Sequence, residues 1–468
     1  MRATHVSLCP TQAANAAGRA ALTPELLAAT GARYSRSNDG LDAILAKIDP
    51  QNPDKSVDSI FKMVDYGHAS IADMAPIAIF LDGVSMWLAY LVWSLCPTAG
   101  GQESSTRYIQ LSRENLPDAR EIGIGAAQQN DWQSAMEKAL DAYEKAVKFW
   151  EDVAREQPEI TRIPAEILAD KSERGQKVLA RMARNFAFDR ARYFLPASLQ
   201  TNVMLVMSAR AWVSLCQQLL SHPAPEPRKL GELLRAELEL CAPRLLKHAS
   251  AKPSFEERWA QLQRRASLIA AFGKVSGEAA PTAFLEVFGP RNLDASLHDE
   301  AFYAALENHD NRYAHIGPEL ARSAVRFGWD AVAFADMRDL NRHRTGTKWS
   351  HMVPVGFYGA LDQAKSLDGN GADSSLNELQ KLGVEISQTA RTRIAQNDDS
   401  APYWSLLGTQ FPFEHTTTAD KFIYEAELRT GLGAHYRYAK HLHDCLTIWR
   451  EKFPESSELI LEGEAEPE

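Results

Sequence analysis

Apolar residues recur every three to four positions through much of this chain, a spacing that predicts helices rather than strands. The periodicity covers 24–50, 54–66 and, most clearly, 132–158, where Trp132, Met136, Leu140, Tyr143, Val147 and Trp150 share one stripe. It continues over 165–247 and resumes over 297–340, 376–396 and 419–452. The long apolar run from Met74 to Cys96 is interrupted by Asp82 and Gly83 and stops at a Pro/Gly break over 97–101. That interruption predicts buried core instead of a membrane span. A polar, basic stretch at 249–265 reads as a connector that can itself be partly helical, and the acidic run Glu455–Glu468 reads as a disordered tail.

The pattern also repeats itself. Tyr66-Gly67-His68 returns as Tyr313-Ala314-His315, and after each an apolar stretch leads into a polar loop. Upstream, AATGARYSRS at 28–37 loosely resembles IAAFGKVSGE at 269–278. Each match is weak, but their shared order predicts a tandem duplication. The expected organisation is a first repeat over 1–248, a connector over 249–267, a second repeat over 268–453 and a tail over 454–468.

At 468 residues the chain is long enough for two or three units with a sizeable core. Its net charge of −10 argues against a surface built to coat DNA or RNA, so any nucleotide partner is expected to be small. The five cysteines, Cys9, Cys96, Cys216, Cys241 and Cys445, show neither a CxxC pair nor finger spacing, so no disulfide framework and no metal site is expected. The first twenty residues lack the apolar core of a signal peptide. The expectation is a soluble cytoplasmic protein without a membrane or nucleic-acid polymer partner.

Four short segments carry candidate chemistry. In Gly101-Gln102-Glu103-Ser104-Ser105-Thr106-Arg107-Tyr108, a carboxylate, hydroxyls and a guanidinium lie close enough to read a nucleotide. Taken alone, a polar loop capping a helix is the commoner meaning of such a segment. Arg338-Asp339-Leu340-Asn341-Arg342-His343-Arg344 concentrates positive charge behind an apolar run, which suits phosphate or an electron-rich ring as well as it suits a solvated face. Asp189–Pro196 (DRARYFLP) with Ser208-Ala209-Arg210, and Glu427–Arg437 (ELRTGLGAHYR), each read by themselves as helix-surface charge.

Together these segments resemble the flavin-dependent thymidylate synthases. That family carries GHxS, an apolar element, RHR, then ExSxRY, an arginine before Leu-Pro, Asn-Ala-Arg, and Leu-Arg. Here Gly67-His68-Ala69-Ser70 matches the first motif, and Glu103, Ser105, Arg107 and Tyr108 complete ExSxRY. The first half has Leu95-Cys96-Pro97 where RHR belongs, whereas the second supplies Arg342-His343-Arg344 and lacks ExSxRY. The register agrees, since 96 − 68 and 343 − 315 both equal 28. Arg192 precedes Leu195-Pro196, Arg210 keeps the arginine of Asn-Ala-Arg, and Leu428-Arg429 keeps the last motif in the second half. Asp73-Met74 departs from the family's acidic-histidine pair after GHxS.

The resemblance implies an α+β fold, helix-rich, with helices around antiparallel sheet, repeated twice. It implies C5 methylation of dUMP to dTMP, with FAD as cofactor and methylenetetrahydrofolate and NADPH as co-substrates. Diverged alternatives are a flavoenzyme for another pyrimidine nucleotide, or a catalytically silent homologue that binds nucleotide or FAD. By that resemblance Ser105, Arg107 and Arg342 are the catalytic candidates, with Arg107 and Arg342 polarising the uracil ring. Glu103, Ser105, Arg107, Tyr108, Arg192 and Arg429 would hold the substrate. His68, Ser70, Arg210, Arg342, His343, Arg344 and His435 would hold the cofactor. Family sites lie where copies meet, so two duplicated chains are expected to pair as a homodimer forming a pseudo-tetramer. No cysteine sits in a nucleophile motif, which leaves the cysteine-dependent route without support.

Overall fold

The run from 74 to 96 is not one element. In the computed structural model, which describes residues 1–38, 40–49, 51–65, 69–289, 298–364 and 372–465, it is a strand followed directly by a helix. Strand β2 (Pro76–Ser85) buries Ile77, Ile79 and Leu81, and helix Met86–Leu95 follows. Asp82 and Gly83, which interrupt the apolar pattern, form a bulge where the register shifts, with Gly83 at φ +69°. Ser85 ends the strand and starts the helix, because its hydroxyl oxygen accepts from Leu88 N at 2.9 Å. The buried Glu226 carboxylate then accepts from both Ser85 N and Ser85 Oγ, at 2.9 and 2.8 Å.

Two antiparallel sheets are built with the same strand order. The first joins β1 (Arg2–Val6), β2, β3 (Gly100–Glu103) and β4 (Gln200–Ser208) in the order β1-β2-β4-β3. The second joins β5 (Ala283–Phe288), β6 (Ala324–Ala333), β7 (Thr347–Trp349) and β9 (Thr409–Thr418) in the order β5-β6-β9-β7, with β8 (Gly356–Phe357) also on β9. As β2 runs into a helix, so β6 runs into helix Phe334–Asn341; as β4 runs into helix Ala209–Leu220, so β9 runs into helix Ala419–Thr430. Both β2 and β6 carry a register shift near their ends. The fold is α+β and helix-rich, with long helices such as Gln129–Glu156 beside short strands.

Two compact units form. Unit 1 comprises 1–104, 117–123 and 199–263; unit 2 comprises 105–116, 124–198 and 264–468. These units do not follow the sequential division expected from the repeats. Segment 124–198, which lies in the first half of the chain, packs in unit 2 because the apolar stripe of helix Gln129–Glu156 needs a partner there. Trp132, wholly buried, donates from Nε1 to Tyr403 O at 2.9 Å, and Ala197 N donates to Ser405 O at 2.9 Å.

The connector at 249–267, read as partly helical, lies largely in helix Pro253–Ala271. Residues 454–465, expected to be a disordered tail, are ordered instead. Helix Pro454–Ser457 starts there, and the amides of Glu455 and Ser456 donate to the Asp299 carboxylate, each at 2.9 Å. Farther on, Leu461 N donates to Glu427 Oε1 at 2.9 Å and Gly463 N to Thr430 Oγ1 at 3.1 Å. Backbone amides hold this acidic segment in place, and the Glu462 carboxylate adds ion pairs to His443 and Arg450. Among the described residues, no helix is long and apolar enough to cross a membrane.

Candidate functional site

Unit 2 gathers arginines from distant parts of the chain around a few buried carboxylates. Arg107 follows β3, and its amide donates to Ser105 Oγ at 3.2 Å in a tight polar turn. The guanidinium grips Asp189 in a fork, Nε at 2.9 Å and Nη2 at 2.9 Å, while Nη1 donates to Gly433 O at 3.0 Å. Asp189 lies in helix Glu173–Ala191, three residues before Arg192, and is buried. Burial pushes its carboxyl up, but the charge and hydrogen bonds of Arg107, together with His435 and Arg192, outweigh this and hold it below the ordinary carboxylate range.

Arg192 is 1% exposed and spans two carboxylates. Nη1 donates to Asp339 Oδ2 at 3.1 Å and Nη2 to Asp336 Oδ1 at 2.8 Å. These two acids stand three apart on helix Phe334–Asn341, so both point from one face toward the same cation. Asp339 then serves two further arginines. Its Oδ1 accepts from Arg342 Nη2 at 2.6 Å, and its main-chain oxygen accepts from Arg429 Nη2 at 3.0 Å. Burial raises the Asp339 carboxyl, and the charges of Arg192, Arg342 and Arg429 overcome it, leaving the group ionised far below its usual range. Asp336 has the opposite fate: burial dominates over Arg192 and Arg437 and pushes it up to about 6.

A second buried cluster abuts the first. Arg429 Nε donates to His343 Nε2 at 2.8 Å, which requires a neutral imidazole with its lone pair on that nitrogen. Burial lowers His343 to about 3, so it is neutral at ordinary pH. Glu425, 1% exposed, lies 3.8 Å from His343 Nε2 and 3.0 Å from His415 Nδ1. Lys348 donates to the carbonyls of His343 and Thr345, and burial lowers its amine to about 8 despite Glu425 nearby.

The candidates from sequence therefore divide. Ser105, Arg107, Arg192, Arg342, His343, Arg429 and His435 belong to this connected polar core of unit 2. His435 is wholly buried; its Nε2 pairs with Asp189 O at 3.0 Å and its Nδ1 accepts from Arg437 N at 3.1 Å. Tyr108 is half-exposed with Arg107 over its ring, and Arg344 is exposed. Glu103 closes β3 in unit 1. Ser70, exposed, and Arg210, exposed and paired with Asp73 at 2.9 Å, also lie in unit 1. His68 lies outside the described residues.

The segments 189–196 and 427–437, which read alone as surface charge, are interior: Asp189, Arg190, Arg192, Glu427, His435 and Arg437 are all buried. The acids Asp189, Asp336, Asp339 and Glu425 were not among the site candidates. Their one sequence signal is position. Asp336 and Asp339 interrupt an otherwise apolar approach to the RHR segment, where an unpaired charge would be expensive.

Comparison with known proteins agrees with the motif reading. Residues 20–244 match the family described as thymidylate synthase complementing protein. Over that stretch, a little under half of its length, the chain is similar to that family. The UPF0159 protein Ta1429 of Thermoplasma acidophilum is 24% identical over 234 residues, covering 46% of this chain and 47% of that protein. The chain thus spans about half the length of this curated relative. Among solved structures, a UMP/dUMP methylase from Streptomyces cacaoi, crystallised with 5-Br dUMP, shares 16% identity over 48% of this chain and 89% of its own, with a TM-score of 0.29.

Proposed function

We propose that this chain is a methyltransferase acting on C5 of a uracil nucleotide, converting dUMP to dTMP with methylenetetrahydrofolate as carbon donor and NADPH as reductant. The observation that carries the reading is the meeting of Arg107 and Arg192, from the family-matching segment, with Arg342 and Arg429, from beyond it, in one unit. Such an arrangement suits a duplicated chain in which each half has lost part of the motif set and the remainder combines. Two chains pairing into a pseudo-tetramer in the cytoplasm belong to the same reading.

The donor set fits a flavin in part. Arg342, with its side chain 29% exposed, and the exposed Arg344 present guanidiniums suited to its pyrophosphate or electron-rich ring. His343 and His435, in contrast, are buried, with Nε2 of His343 and both ring nitrogens of His435 already engaged, so they suit that role poorly. Bound flavin would supply the two electrons that reduce the transferred methylene to methyl. The chain's own contribution is fixed positive charge: Arg107 and Arg342 would draw electron density through the uracil ring, C5 would bond the incoming methylene as its carbon–nitrogen bonds to the folate break and tetrahydrofolate leaves, and the C5 proton would pass to solvent.

Release of tritium from dUMP labelled at C5, with methylenetetrahydrofolate and NADPH present, tests the reading. It is abandoned if no label is released by protein that shows the visible bands of bound oxidised flavin. A second reading, a nucleotide-binding homologue without turnover, draws on the pairing of Arg107, Arg192 and Arg342 with buried carboxylates. Tight dUMP binding with no tritium release would select it.

A further inference from the structure

Asp339 offers three oxygens to three arginines: Oδ2 to Arg192, Oδ1 to Arg342 and the main-chain oxygen to Arg429, at 3.1, 2.6 and 3.0 Å. A terminal phosphoryl group also offers three acceptor oxygens, and guanidinium forks are the side chains best shaped to take them. The arginines come from three separate segments: the turn after helix Glu173–Ala191, the end of helix Phe334–Asn341, and helix Ala419–Thr430. No local rule brings them together. What they share is this one residue.

We propose that Asp339 is an internal stand-in for a phosphoryl group and therefore a specificity-determining residue of the site. A phosphorylated ligand reaches Arg192 and Arg342 only by displacing the carboxylate, while Arg429 stays on the main-chain oxygen beside them. This deepens the nucleotide reading above and rests on it for the identity of the ligand, though not for the anion site itself. Three observations support displacement over simple support. The Arg192 side chain is only 2% exposed, so an anion cannot add to it from solvent while Asp336 and Asp339 are in place. Both Asp339 carboxylate oxygens are already committed. The carboxylate also lies near the end of its helix, its side chain 12% exposed beside Arg342 at 29%, so it is less buried than Asp336.

The stand-in is an imperfect one, carrying a single negative charge where a phosphate monoester at neutral pH carries nearly two. A phosphoryl ligand would therefore win the arginines when its concentration is high enough, and a ligand lacking phosphate would gain nothing from displacing Asp339. The site would discriminate by charge at that position.

The experiment is calorimetric titration of the full chain and of Asp339→Asn with three probes: inorganic phosphate, dUMP and deoxyuridine. The asparagine keeps the shape and removes the competing charge. The expected result is phosphate and dUMP binding tighter by about tenfold or more, with deoxyuridine unchanged. Unchanged or weaker phosphate binding in the variant would overturn the proposal, since Asp339 would then be a support for the arginines and not a competitor. If phosphate binding tightens as expected but dUMP binds no better than phosphate, the stand-in survives and the uracil-nucleotide reading fails. Should Asp339→Asn not fold, amide exchange in the unmodified chain decides. Saturating phosphate should speed exchange in helix Phe334–Asn341 as Asp339 lets go, and unaltered exchange at saturation would refute displacement.

Discussion

Buried charge dominates this molecule at the scale of single residues. Arg192 is almost wholly buried, held by Asp336 and Asp339. Removing it leaves two carboxylates uncompensated, so Arg192→Ala is expected to cost about 3–5 kcal/mol of stability in urea denaturation, well above a surface change. A loss under 1 kcal/mol would show that water reaches the cluster. Asp336 gives a pH signature. Its folded carboxyl, raised by burial to about 6 from an ordinary 3.8, keeps its proton in the folded state where the unfolded chain has lost it. Its contribution to stability is thus full below about pH 4 and lost as pH rises through about 6. Unfolding free energies of Asp336→Asn relative to the unmodified chain should therefore rise between those pH values; a flat difference would place Asp336 in a more hydrated setting. At this scale the arginines were legible and their partners were not. Arg107, Arg192, Arg342 and Arg429 each stand in a short motif with fixed spacing. Asp189 and Asp339 stand inside the same segments but at no motif position, Asp336 and Glu425 stand in none, and a carboxylate on a helix is a surface residue until its neighbours are known.

Elements follow local rules where one face is buried, and depart from them where both are. The stripe over 132–150 announces helix Gln129–Glu156, and all six of its residues are interior. Trp132→Ala, which empties a large site and frees the Tyr403 carbonyl, should cost about 3–5 kcal/mol by chemical denaturation. A smaller loss would mean the cavity collapses. The run 74–96 shows the limit of periodicity. An apolar stretch with two buried faces has no period to read, so the change from strand to helix at Ser85 is set by the cap and by Glu226, a residue far along the chain. Glu226→Ala removes both acceptors from Ser85 and is expected to lower stability by about 1–3 kcal/mol, whereas Ser85→Ala, losing only the cap and one bond, should cost less. Equal losses would show that the main-chain bond to Glu226 contributes little.

For the whole molecule, the order of elements and the grouping of elements are different matters. The two sheets share one strand order, β1-β2-β4-β3 and β5-β6-β9-β7. Compact packing divides the chain otherwise, placing 124–198 with 264–468. The end of the chain belongs to this grouping as well. Deleting 454–468 would take away the amides that Asp299, Glu427 and Thr430 now bind. The shortened chain should melt several degrees lower in a thermal scan, and an unshifted transition would restore the expectation of a dispensable tail. Composition misled here because acidic side chains say nothing about where the backbone amides beneath them are bonded.

The amino-acid sequence by itself determined the helices with one apolar face, the motif arginines and the family likeness of residues 20–244, because each of these depends on spacing along the chain. Only the tertiary structure decided that Arg192, Arg342 and Arg429 converge on Asp339, since a buried charge must find its counterion through space and spacing along the chain does not say which acid that is.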